Sequence, residues 1–213
     1  MENKIVYFES LTPENTLATF KLAKERVKAL GIKKVVLAST TGTTARKAME
    51  YFKDTDVQLV VVPHQFGFHN RKDHLFPQEL VEELRNSGHA VHFGTMLFHT
   101  DQLYGSNVPT LMANLLRCFC QGIKVCFEIV LMTTDAGYLT RGEKVIVIAG
   151  TVKGADTALV MQAGTSQHIM NVRVNEILCK PLNPIRNEEL KEKLGIADTD
   201  ELRARLSREE IKL

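Results

Sequence analysis

The stretch Val35-Val36-Leu37-Ala38-Ser39-Thr40-Thr41-Gly42-Thr43-Thr44-Ala45-Arg46 decides how this chain is read. An apolar, partly β-branched run ends at Ala38, a small hydroxyl-rich turn follows, and a helical segment begins near Thr43. Strand, short turn and helix in that order form half of a parallel crossover unit.

Outward from that stretch the same alternation repeats. A first strand is predicted at Lys4–Phe8. Thr12-Pro13 then supplies an N-cap and a first-turn proline, Leu17, Phe20, Val27 and Leu30 mark an apolar stripe, and Gly31 ends the helix. Strands are predicted at Lys34–Ala38 and at Val57–Val62, the latter apolar enough to be buried on both faces. A helix from about Thr43 to Phe52 connects them. After the long loop His64–Phe76, Pro77 opens a helix that Gly88 closes, and Ala90–Phe93 reads as a fourth strand. A helix from Pro109 to Cys120 is expected to break at Gly122. Lys124–Asp135 satisfies strand and helix periods in part, and its length with Gly137 beyond it favours a buried helix. Val145–Ala149 is a strand, and Ala158–Met161 with Val172–Cys179 adds a terminal pair. The fold class expected is α/β: a three-layer α/β/α sandwich on a mostly parallel sheet.

Residues 1–185 read as one domain, since 213 residues fit one large core better than two small ones. From Arg186 onward 15 of 28 residues are charged, eight acidic and seven basic, which reads as a helical tail packed through Leu190, Leu194, Leu202 and Leu206. The net charge of +2 arises from 27 basic and 25 acidic residues that are well mixed, so no nucleic-acid partner is expected. No apolar run is long enough for a membrane span, and no secretory signal is visible, which makes the cytosol the expected compartment. Cysteines at 118, 120, 126 and 179 lack the spacing of a structural zinc site and read as buried free thiols.

The turn at Ser39–Thr44 carries the chemistry. The first N–H groups of a helix have no intrahelical partner and sit at the positive end of its dipole. Gly42 lets an anion approach the backbone, and Ser39, Thr40, Thr41, Thr43 and Thr44 can each donate a hydroxyl. Capping of the helix by Ser and Thr accounts for the same residues. Neither a P-loop nor a dinucleotide fingerprint is present.

The strand, the turn Ser39-Thr40-Thr41-Gly42-Thr43-Thr44-Ala45 and the helix after it resemble the segment of the pyruvate kinase C-terminal domain that holds a sugar-phosphate effector. Lys144–Gly150 continues the likeness. Glu14-Asn15-Thr16, Gly67-Phe68, Gly122-Ile123-Lys124-Val125-Cys126, Asp135-Ala136-Gly137 and Gly154-Ala155-Asp156-Thr157-Ala158 resemble stand-alone, mostly archaeal and bacterial proteins built from that domain without the catalytic barrel. That resemblance implies binding of flavin mononucleotide (FMN), and it implies no kinase activity.

Other candidates surround the turn. Phe66-Gly67-Phe68 could set an aromatic ring and close backbone against a flat ligand. Gly150-Thr151 follows a buried strand, and its N–H groups could complete the pocket. Asp156 and Asp135 could accept from ligand hydroxyls or hold their own turns. His64, His69 and His74 recur at a spacing that suits neither helical nor strand metal ligands, so no metal is expected. Arg117 and Lys124 are expected on the surface. The function expected is binding of a phosphorylated small molecule, with FMN foremost. A flavin-dependent oxidoreductase or phosphosugar-transforming enzyme using the His64–His74 loop, and a sugar-phosphate-sensing regulatory module, remain alternatives, as does a homo-oligomer beside the monomer.

Overall fold

The computed structural model describes residues 3–68, 72–184, 189, 191, 192, 195 and 196. In chain order the elements are β1 (Val6–Phe8), α1 (Glu14–Leu30), β2 (Lys34–Ala38), α2 (Thr43–Phe52), β3 (Gln58–Val62), α3 (Gln78–Asn86) and β4 (Ala90–Val91). A 3-10 turn at Leu97–His99 leads into α4 (Asp101–Tyr104), α5 (Val108–Arg117) and α6 (Gln121–Asp135). The chain ends its sheet with β5 (Lys144–Ala149), β6 (Thr157–Gln162), a 3-10 segment at Ser166–Asn171 and β7 (Arg173–Pro181). All strands belong to one seven-stranded sheet in the order β1-β7-β6-β5-β2-β3-β4. Only the pairings made by β6 are antiparallel, so the sheet is mostly parallel as expected.

Alternation along the strands sorts their side chains between two cores. Val35, Leu37, Leu59, Val61, Ile146 and Ile148 pack with Phe20, Ala23, Ala45, Ala48, Leu80 and Leu84 from α1, α2 and α3. Val36, Val60, Val145 and Val147 point the other way, onto Ile123, Cys126, Ile129 and Val130 of α6. Helices therefore cover both faces, which is the three-layer α/β/α sandwich. Burying each large apolar side chain contributes about 1.5–3 kcal/mol, so runs such as Leu59–Val62 are stable only at the centre of such a sandwich.

Three local expectations are corrected. Helix α1 turns Asn15, Thr16, Thr19, Phe20, Ala23 and Val27 inward, while Leu17 and Leu30 of the expected stripe are exposed. The inward hydroxyls are satisfied by a distant turn: the Ala155 N–H donates to Thr16 Oγ1 at 3.1 Å and Thr19 Oγ1 donates to the Ala155 carbonyl at 3.4 Å. Thr12 does not cap α1, because Pro13 takes the N-cap position without a side-chain bond. Gly122 does not break a helix. The break comes at Cys120, whose extended backbone caps α6 and whose Sγ accepts from the Ile123 N–H at 3.4 Å. Gly122 lies in the first turn of α6, where a Cβ would run into the Thr157 side chain.

Other ends fall as expected. Gly31 adopts φ 64 and its N–H donates to the Val27 carbonyl, and Gly137 follows α6 with φ 78. The short helix α4 and both 3-10 segments lack a sequence signal of their own. Of the charged tail at 186–213, only positions 189, 191, 192, 195 and 196 are among the described residues, so its leucine packing lies outside them.

Candidate functional site

Strand order places the site. From β2 the chain moves through β3 to β4 on one side, then returns as β5 on the other side of β2. The direction of winding reverses between β2 and β5, and in open α/β sheets ligands usually bind outside the carboxyl ends of the strands at such a switch point. Leu37 pairs with Ile148 across that boundary, so the turn after Ala38 and the turn after Ala149 flank the switch point.

The first turn is Ser39–Thr44. Gly42 is the N-cap of α2 at φ 86. Ser39, which is buried, accepts the Ala45 N–H on its Oγ at 3.2 Å, so Ser39 performs the capping role that sequence reasoning set beside ligand binding. The N–H groups of Thr43 and Thr44 have no acceptor among the described residues. Thr44 is buried, and no described group bonds its hydroxyl. Thr41 and Thr43 are exposed, with their hydroxyls 3.2 Å apart, and Thr40 Oγ1 lies 3.4 Å from His64 Nε2. The side of Gly42 that a Cβ would occupy is filled: Leu80 Cδ2 lies 2.5 Å and Pro77 Cδ 3.2 Å from that position. Packing against α3 and the left-handed backbone each require glycine here.

The second turn, Gly150–Asp156, is held from within. Asp156 is buried and accepts the Thr151 N–H at 2.7 Å and the Thr157 hydroxyl at 2.6 Å. Burial raises its carboxyl above the ordinary aspartate value, with those hydrogen bonds opposing the rise. The Thr151 N–H is thus engaged by Asp156, and Gly150 leaves room for the backbone of Gly154 and Ala155. Val152 has φ 47, a strained conformation for a β-branched residue, and it sits at the tip of this turn.

The loop after β3 brings aromatic rings beside the first turn. Phe68 packs against His64 with centroids 4.5 Å apart and meets His99 edge-on at 5.3 Å. Phe66 is exposed and lies with His74 and Phe93 at 4.7 and 5.1 Å, and Gly67 between them has φ 72. His74 ties the loop down: its Nε2 is 2.8 Å from the His64 carbonyl and its Nδ1 accepts the Phe76 N–H at 2.9 Å. His69 lies outside the described residues. Asp135 is remote, at the end of α6 near the Lys34 edge of the sheet, and accepts the Ser166 N–H at 2.9 Å.

Lys124 is the residue that sequence reasoning misplaced. It is 1% exposed rather than on the surface. Its Nζ lies 2.5 Å from Glu128 Oε2 and 3.1 Å from His99 Nε2, while Glu128 Oε1 accepts the Phe98 N–H at 2.8 Å. Burial lowers the Lys124 pKa, and the Glu128 charge opposes that. The pair was readable as an i, i+4 lysine and glutamate inside an apolar helix, but only if the helix is known to be buried. Thr40, His64, Phe68, His99, Lys124 and Glu128 thereby form one connected line from the turn to the face of α6. Arg117 bonds Gln121 Oε1 and Asn114 Oδ1, both at 2.8 Å. Of the cysteines, 120, 126 and 179 are buried and Cys118 is exposed, which corrects its expected burial. Among the described residues no cluster of three or more His, Cys, Asp or Glu is arranged to hold a metal ion, and no helix is long and apolar enough to cross a membrane.

The fold and the turns that follow β2 and β5 define an α/β domain with a topological switch point between those strands. Residues 18–161 match the family described as pyruvate kinase, alpha/beta domain, and the chain belongs to that family. Solved structures similar to it include Cryptosporidium parvum pyruvate kinase in complex with ADP, at 12% identity and a TM-score of 0.40, covering 74% of this chain and 25% of that one. A further crystal structure of the Cryptosporidium parvum enzyme is similar at 12% identity and a TM-score of 0.38, with 70% and 22% of the two chains covered. The chain thus spans about a quarter of the length of these enzymes.

Proposed function

We propose that the chain is a binding protein for a phosphorylated small molecule, FMN foremost, seated at the Ser39–Thr44 turn. One observation carries the reading: among the described residues, the Thr43 and Thr44 N–H groups and the buried Thr44 hydroxyl have no partner, at the carboxyl end of β2 beside the switch point. Buried polar groups are nearly always bonded, and unbonded donors at a helix N-terminus favour a dianionic phosphate. Thr40, Thr41 and Thr43 place hydroxyls at the rim. Phe68, packed on His64, brings an aromatic ring beside the turn. When bound, a flavin supplies an acceptor for electrons or hydride. The residues described here bind and orient it. The reading assigns the chain to the cytosol, where its four free cysteines stay reduced.

Titration of the purified protein with FMN and riboflavin, followed by flavin fluorescence, tests the proposal. FMN should bind at least about tenfold more tightly, because riboflavin lacks the phosphate. Thr43→Glu is the matched variant: an acidic residue in the first helical turn is compatible with the dipole, yet its carboxylate competes for the anion seat. It should lose FMN affinity while keeping its thermal stability. Equal affinities for FMN and riboflavin would remove the turn from the explanation.

A further inference from the structure

Helix α5 is apolar on two faces. Pro109, Met112, Ala113 and Leu116 are buried or half-buried where α5 packs on α6. Val108, Leu111 and Leu115, spaced three and four residues apart, share an adjoining exposed face, with Thr110, Asn114 and Arg117 along its far side. Leu103 and Tyr104 of α4 and Phe119 just beyond α5 flank them, and all six are between 52 and 71% exposed. No charged residue occurs between Asp101 and Arg117. A solvated helix carries its charge on the outer face, and one that is apolar all round is normally covered.

We infer that this α4–α5 face is a self-association surface, covered in solution by the same face of a second copy of the chain. Aromatic and large aliphatic side chains carry on the order of 150–200 Å² each, so the six expose roughly 600 Å² of apolar surface. That approaches the contribution of one partner to a standard interface, about 800 Å², and backbone and rim atoms of the same helices supply the remainder. The missing charge selects the occupant. An acidic or basic partner has nothing to pair with, and the lysines and arginines that hold an amphipathic helix on a lipid surface are lacking on this face. An equally uncharged apolar surface is needed, and a second copy provides one.

A two-fold arrangement closes the assembly with a single self-complementary patch. An axis near Leu111 stacks the two copies of that leucine and sets Val108 of one copy against Leu115 of the other, with α5 helices antiparallel at about 8–10 Å. Arg117, already bonded to Asn114 and Gln121, then stands at a polar rim. This inference is independent of the ligand proposed above.

Sedimentation equilibrium of the full chain at micromolar concentration should return twice the chain mass. Leu111→Glu combined with Leu115→Glu should raise the dissociation constant at least about a hundredfold, since buried apolar anchors at an interface centre dominate its affinity. Because that variant could fail to fold, a second measurement fixes position. In a Cys118→Ser background, Leu111→Cys should crosslink to itself under mild oxidation, while Leu17→Cys on the exposed face of α1 should not. A monomeric wild-type chain overturns the inference, and so does flotation of that monomer with phosphatidylcholine vesicles. A dimer indifferent to the glutamates, or absence of the Leu111→Cys crosslink, overturns it as well.

Discussion

Gly42→Ala separates the two physical reasons for the glycine that opens α2. An alanine at φ 86 takes on the strain of a left-handed residue, about 1–2 kcal/mol, from which the stiffer unfolded chain returns about 0.5 kcal/mol. The new Cβ would also stand 2.5 Å from Leu80 Cδ2 in a core where Leu80 is fully buried, and overpacking of this kind costs about 1–3 kcal/mol. The net expectation is a loss of about 2–4 kcal/mol, read by urea unfolding of ligand-free protein with an unchanged m-value. Leu80→Ala on its own should cost about 2–5 kcal/mol, but about 1–2 kcal/mol less when added to Gly42→Ala, because the methyl then has room. A Gly42→Ala protein within about 0.5 kcal/mol of wild type would refute the packing argument. If such a stable variant also lost FMN affinity, the glycine would be there for the ligand rather than for the fold.

Lys124→Met strands Glu128 as a buried, uncompensated carboxylate and should cost about 3–5 kcal/mol in chemical unfolding. Adding Glu128→Gln, which can still accept the Phe98 N–H, should restore more than half of that, and a double variant as unstable as the single one would contradict the pairing. Asp156→Ala leaves the Thr151 N–H without its acceptor and should cost about 1–3 kcal/mol by thermal or urea unfolding, whereas Asp156→Asn, able to accept from Thr151 and donate to Thr157, should cost less. The Asp156 carboxyl is raised in the folded protein, so on acidification the folded state takes up a proton before the unfolded chain does. Stability of wild type relative to Asp156→Asn should therefore grow as pH falls from neutral through the folded value and level off below about pH 4, the unfolded aspartate range. A difference independent of pH would contradict a raised carboxyl.

What could be read from the sequence is what short-range chemistry decides. The run Lys34–Ala38, the helix Thr43–Phe52 and the glycine after Leu30 were legible because apolar continuity, turn residues and a left-handed cap act within a few positions. The inward face of α1 was not, since Thr16 and Thr19 are buried only because the turn around Ala155, far along the chain, supplies their partners. Lys124 escaped for a related reason: a lysine reads as solvent-facing until a helix, a 3-10 turn and a second ionised residue are known to close over it. The candidate site shows the same division. Its hydroxyl-rich turn was visible, but which hydroxyls are already used was not. Ser39 caps α2, Asp156 holds the Thr151 N–H, the Thr40 hydroxyl meets His64 and those of Thr41 and Thr43 meet each other, so among the described residues of the turn the open donors narrow to the Thr43 and Thr44 N–H groups and the Thr44 hydroxyl. Fewer open donors make the proposed seat more selective, because a dianionic phosphate can draw on two backbone N–H groups and the helix dipole together, whereas a neutral ligand gains little from the dipole.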